Sequence, residues 1–174
     1  MIFGGVFERF PDLKFVLTET AGIFVSMQLM QLDAEFEQGR TLGSTGYPFF
    51  HRVAESATRS ALEYFQHNCW LGASLMTRTD VNLRHQLGVD RMMWGADYPH
   101  HEGTFPYTDL ALRVSFSEVP EDEVRKMTSE NAAAVFGFDL DHLQKIADEI
   151  GTSPTDVARP VTRSEEHTSE LQSH

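Results

Sequence analysis

Cysteine is nearly absent from this 174-residue chain, with Cys69 the single example. That excludes an intrachain disulfide and fits a reducing compartment, so a cytoplasmic location is expected. Basic residues are scarce: 14 Lys and Arg stand against 26 Asp and Glu, for a net charge of −12. A nucleic-acid binder needs a basic face to neutralise phosphates, and an anionic membrane surface asks for the same. Neither partner is therefore expected. No apolar run approaches the ~18 residues that a membrane-spanning helix requires. The opening Met1-Ile2-Phe3-Gly4-Gly5 has no charged n-region and no cleavage pattern, so it does not read as a signal peptide. The motifs G-x-S-x-G, Walker A and G-x-G-x-x-G do not occur, which removes the chemistries that depend on them. No internal repeat is visible either.

What the chain does contain is an alternation of short apolar strands with helical stretches. Residues 2–10 read as the end of a helix stopped at Pro11-Asp12. Leu13–Thr18 is a β-prone run that ends at Glu19. Beyond the small-residue turn Thr20-Ala21-Gly22, Val25, Leu29, Leu32 and Phe36 recur at helical spacing, with Gly39 a candidate C-cap. Thr41–Pro48 reads as loop and Ser56–Phe65 as a weakly periodic helix. Cys69–Leu75 is a second apolar strand, and Thr79-Asp80 can cap a short helix ending at Gly88. Met92–Ala96 is the third strand. Helices are expected over Thr108–Phe116, after Pro120, and over Glu130–Phe136 with Ser129 as its cap. A last one should run from Asp139, with Leu140, Leu143, Ile146 and Ile150 on one face, to Gly151. Pro154 onward reads as tail. Met27, Met30, Met92 and Met93 are expected to fill the core. Strands alternating with helices predict an α/β fold around a parallel sheet. Three strands are too few to close one, so they suit one side of a larger barrel.

Candidate chemistry sits where the strands end. Ligands bind at the carboxyl ends of strands in α/β folds. The third strand runs into Asp97-Tyr98-Pro99-His100-His101. A carboxylate there suits a divalent metal, and Asp97 is the strongest candidate ligand. His100 and His101 should point to different sides of an extended chain, which argues against their sharing one ion. One of them could line a pocket for an acidic substrate. Glu19 ends the first strand as Asp97 ends the third, and reads either as a helix N-terminal acid or as a general base.

Three ordered motifs carry a family resemblance. Gly4–Phe15, Trp94-Gly95-Ala96-Asp97-Tyr98-Pro99-His100 and Glu130–Gly137 resemble segments of the amidohydrolase-related metal-dependent hydrolases. The likeness is to the branch of aminocarboxymuconate semialdehyde decarboxylase and related aromatic-acid decarboxylases. It covers about residues 2–158. It implies a (β/α)8 TIM barrel of which this chain holds the C-terminal part, about strands six to eight, over residues 1–158. It also implies a divalent metal, zinc or manganese, with Asp97 as the ligand at the end of the eighth strand. Glu19 falls where the decarboxylase branch carries a catalytic histidine. The family's first-strand H-x-H pair and its fifth-strand histidine have no counterpart here. The resemblance implies a small, carboxylated substrate, hydrolysis or non-oxidative decarboxylation, and is compatible with a homodimer. The rival reading is a non-catalytic α/β module that contacts proteins through its acidic surface. Residues 159–174 are expected to be tail, and 163–174 look like a translated sequencing adapter, so Met1 is expected to lie inside a longer natural chain.

Overall fold

The computed structural model describes residues 1–43, 51–52 and 55–162. A three-stranded parallel sheet organises them: β1 (Phe15–Thr18), β2 (Cys69–Ser74) and β3 (Met92–Gly95), in the order β1-β2-β3. The register pairs Thr18 with Gly72 and Ser74 with Gly95. Helix α1 (Val6–Arg9) precedes β1, and α2 (Gly22–Leu42) and α3 (Ala61–Asn68) lie between β1 and β2. Two short helices, α4 (Arg78–Asn82) and α5 (Arg84–Leu87), lead into β3. After β3 come α6 (Thr108–Phe116), α7 (Glu121–Arg125), a π-helical turn (Lys126–Glu130), α8 (Asn131–Phe136), α9 (Leu140–Ile150) and α10 (Pro154–Ala158).

The central strand is covered by helices on one face, while on the other Trp70 is buried but Gly72 and Ser74 are only partly so. Leu71 and Ala73 are buried in the helix-packed core with Val25, Leu29, Phe36, Met92 and Phe116. The α2 stripe expected from spacing therefore packs where it was placed. The edge strand β1 is different. Phe15 is partly open, and the other side of α2 exposes Phe24, Met27 and Met30. An apolar cavity of about 280 Å³ opens on this flank, lined by Ile2, Phe15, Leu17, Phe24, Leu29 and Cys69. Met92 and Met93 do fill the core, but Met27 and Met30 do not, because no described strand lies beyond β1 to cover them.

Several element boundaries move. Gly39 lies inside α2, and the left-handed C-cap is Gly43, at φ 57°, whose N–H bonds back to the Gly39 carbonyl. Thr41 and Leu42 are thus helical rather than loop, while 44–48 fall outside the described residues. The helix before β2 starts at a Ser60/Glu63 capping box rather than at Ser56. Thr77, not Thr79, caps α4 through a second box with Asp80. Ser129 caps nothing: its hydroxyl donates to the Arg125 carbonyl at 2.8 Å inside a continuous helical path. The segment read as tail from Pro154 forms α10, with Val157 buried and the Ala158 carbonyl accepting from Glu118 N–H. In α9, Asp139 does cap the first turn, yet Leu140, Leu143, Ile146 and Ile150 all face outward.

Buried amides fix the strand entries. Asn68 donates to the carbonyls of Pro11 (2.7 Å) and Leu13 (3.0 Å), tying the approach to β1 to the start of β2. Asn131 donates to Val89 and Met92 carbonyls, both at 2.8 Å, and so clamps the start of β3 to α8. The buried Cys69 thiol is pushed up to about 12 by desolvation. Replacing Asn131 with Ala should cost about 1–3 kcal/mol of stability, since two carbonyl acceptors lose their donor; urea unfolding measures it. The Glu8 carboxylate accepts from the Thr58 and Tyr64 hydroxyls, which hold it below the ordinary carboxylate range, Thr58 contributing most. A lowered folded-state pKa contributes stability above the unfolded value and loses it as pH falls through the folded one. The urea midpoint should therefore drop on acidification below the ordinary glutamate range, and Glu8→Gln should flatten that dependence.

Candidate metal centre at the strand ends

Each strand ends in a residue with left-handed backbone. Glu19 follows β1 at φ 54°, Leu75 follows β2 at φ 56°, and Asp97 lies two residues past β3 at φ 56°. Such angles are uncommon outside glycine and cost about 1–2 kcal/mol per residue. Among the described non-glycine residues only Glu118 shares the feature. Strain is thus concentrated on one rim, at the carboxyl ends of the strands. The ladder holds two of these positions: Glu19 N–H donates to the Gly72 carbonyl and Leu75 N–H to the Gly95 carbonyl, each at 3.2 Å.

One buried carboxylate joins the first two rim turns. Asp80, 2% exposed, accepts from Ile23 N–H at 3.2 Å and from both the N–H (3.0 Å) and hydroxyl (2.7 Å) of Thr77. It therefore caps the start of α2, just past Glu19, and the start of α4, just past Leu75. Gly22 makes this possible, since a Cβ there would sit 3.2 Å from the Asp80 oxygen. The Thr77-x-x-Asp80 spacing is the sequence signal for this cap, which stands two residues ahead of the expected Thr79. Leu75 carried no signal at all.

The third turn carries the metal-ligand candidate. Asp97 is half-buried, its side chain 26% exposed, and its carboxylate lies 3.4 Å from His100 Nδ1. The turn closes on itself through His100 N–H to Asp97 (2.8 Å), Gly103 N–H to His100 (2.9 Å) and Thr104 N–H to Ala96 (3.0 Å), all to carbonyls. Gly103 is essential to that closure. A Cβ on it would lie 2.8–2.9 Å from the Asp97, Ala96 and His100 carbonyl oxygens. The exposed rings of Tyr98 and Phe105 meet edge to face across the turn, centroids 5.5 Å apart.

The turn also overrides the expectation for the two histidines. Extended-chain alternation does not apply in it, and the rings of His100 and His101 approach to 4.7 Å between centroids. Both are exposed. Glu19 is not brought to this group. It is exposed, and β2 stands between its strand and that of Asp97, so about 9–10 Å of sheet separates the two positions. A carboxylate beside an imidazole suits a hard or borderline divalent cation, so the donor chemistry of Asp97 fits the expected metal. His51, His67, His85 and His142 lie away from this rim on other elements.

Gly103→Ala should force the turn open and lose the Asp97–His100 contact, with about 1–3 kcal/mol of destabilisation expected from the displaced backbone hydrogen bonds. Amide chemical-shift changes centred on 96–104 would report it, and an unperturbed spectrum would refute the closure role.

Comparisons with known proteins bear on the family and the fold. The amidohydrolase family model matches residues 1–138. The fold is similar to that of 5-carboxyvanillate decarboxylase from Sphingomonas paucimobilis, with a TM-score of 0.63 and 26% identity over 80% of this chain and 38% of that one. An amidohydrolase from Mycobacterium avium subsp. paratuberculosis gives a TM-score of 0.59 and 25% identity over 81% of this chain and 32% of that one. A dihydroxybenzoic acid decarboxylase from Polaromonas sp. JS666, solved with manganese and the inhibitor 2-nitroresorcinol, gives a TM-score of 0.58 at 21% identity, covering 80% and 38% of the two chains. The chain thus spans about a third of the length of these structures, and its three strands are part of an incomplete barrel. With the match running from the first residue to just past α8, the chain belongs to the amidohydrolase family, of whose barrel it carries an incomplete part.

Proposed function

We propose that this chain is the C-terminal part of a metal-dependent enzyme acting on a small carboxylated substrate. The observation that carries the reading is Asp97, held in left-handed backbone at the mouth of the last strand, partly sheltered and beside an imidazole. Asp97 would hold a divalent ion, zinc or manganese. Manganese is favoured by the Polaromonas decarboxylase and zinc by the nitrogen donors nearby. Such an ion supplies Lewis acidity to a carbonyl or carboxylate oxygen.

The chain's own residues divide the remaining work. Glu19, on the rim two strands away, would accept and return a proton across a substrate-sized gap rather than touch Asp97. His100 or His101 would face the substrate carboxylate, with the exposed rings of Tyr98 and Phe105 offering an apolar wall beside it. That wall, with the decarboxylases among the similar structures, supports an aromatic carboxylate and loss of carbon dioxide over hydrolysis of an amide, ester or lactone. The 174-residue chain alone would be inactive, because a single carboxylate of the usual set of about four ligands binds weakly.

In the complete protein, Asp97→Asn should lower turnover of carboxylated phenols by about 10²-fold or more and reduce the metal content. Glu19→Gln should lower kcat with the metal retained. Full turnover and full metal occupancy in Asp97→Asn would overturn the ligand assignment.

A further inference from the structure

We propose that the turn after β3 also forms a surface site for a borderline divalent transition ion, Zn²⁺ or Co²⁺, held by His100, His101 and Glu102. The three side chains each offer a ligand atom, and these atoms lie within 4.8 Å of one another. His101 Nε2 stands 3.7 Å from Glu102 Oε1. Ligands at ~2.1 Å around a tetrahedral ion are about 3.4 Å apart, so closure asks for movements of about an ångström. All three side chains are exposed and can make such movements by small rotations about their χ angles. Two imidazoles and one carboxylate match zinc and cobalt and are a poor set for calcium or magnesium.

The backbone beneath the ligands is already ordered. The bonds from His100 N–H to Asp97 and from Gly103 N–H to His100, with Gly103 seated against three carbonyls, fix the turn before any ion arrives. Binding therefore orders side chains and not a loop. The chain's charge of −12 raises the local cation concentration. This site rests on the turn's geometry and not on the enzymatic reading. It differs from the strand-end position in its ligands, since Asp97 is not needed. An ion here and a substrate carboxylate would compete for the same two histidines.

The test is titration of the chelator-stripped 174-residue chain with Co²⁺, read by absorption, and with Zn²⁺, read by calorimetry, at neutral pH. One ion per chain is expected. His101→Ala should weaken it by about 10-fold or more, while Asp97→Asn leaves it within about 2-fold. His101 is among the most exposed side chains, at 83%, and an unchanged urea midpoint confirms that its variant is folded. No uptake by the parent chain would overturn the proposal. So would binding unaffected by both His100→Ala and His101→Ala. Binding lost in Asp97→Asn would place the ion at the strand end and support the enzymatic reading instead.

Discussion

A parallel sheet that commits its helix-facing side chains to the core leaves its strand ends to present chemistry, and that constraint governs this molecule. Leu71, Ala73 and Met92 are committed to the core, so the residues that are free to meet a ligand are those where the ladder stops. There the chain must also turn sharply into the next helix, and three successive rim residues adopt left-handed backbone to do it. The strain is tolerated because the ladder bonds from Glu19 and Leu75 and the closed turn after Asp97 over-determine it. A buried sheet that holds the backbone still is what gives a rim carboxylate a defined position.

Buried polar groups supply the rest of that rigidity. Asp80 serves two helix starts at once and so couples the turn beyond β1 to the turn beyond β2. Asn131 and Asn68 do the same at the opposite ends of the strands, where β3 and β1 begin. Each would be costly without its partners. The apolar surfaces show the other side of the same architecture. The flank of β1 with its cavity, and the outward stripe of α9, are faces that three strands and their helices do not cover. The open flank of β1 has a simple reason in a chain that spans about a third of its structural relatives' length: a barrel buries such an edge by closing.

The sequence by itself determined the three strands, their order along the chain, the α2 stripe from Val25 to Phe36, the cap at Asp139, and the placement of Glu19 and Asp97 at strand ends. These follow from local periodicity, turn chemistry and the ordered motifs, all properties of neighbouring residues. Only the tertiary structure decided the rest. Gly39 lost its role to Gly43 because α2 has a further turn of helix, and Met27 and Met30 stayed in solvent because the sheet stops at β1. The pairing of Asp80 with Ile23, of Asn131 with Val89, and of Gly103 with three carbonyls joins segments that no local pattern relates, or packs a turn more tightly than any pattern states. His100 and His101 came together because a closed turn breaks the alternation that an extended chain would impose. Side-chain direction is set by the backbone angles of the turn, and those angles are set by contacts that a one-dimensional reading does not contain.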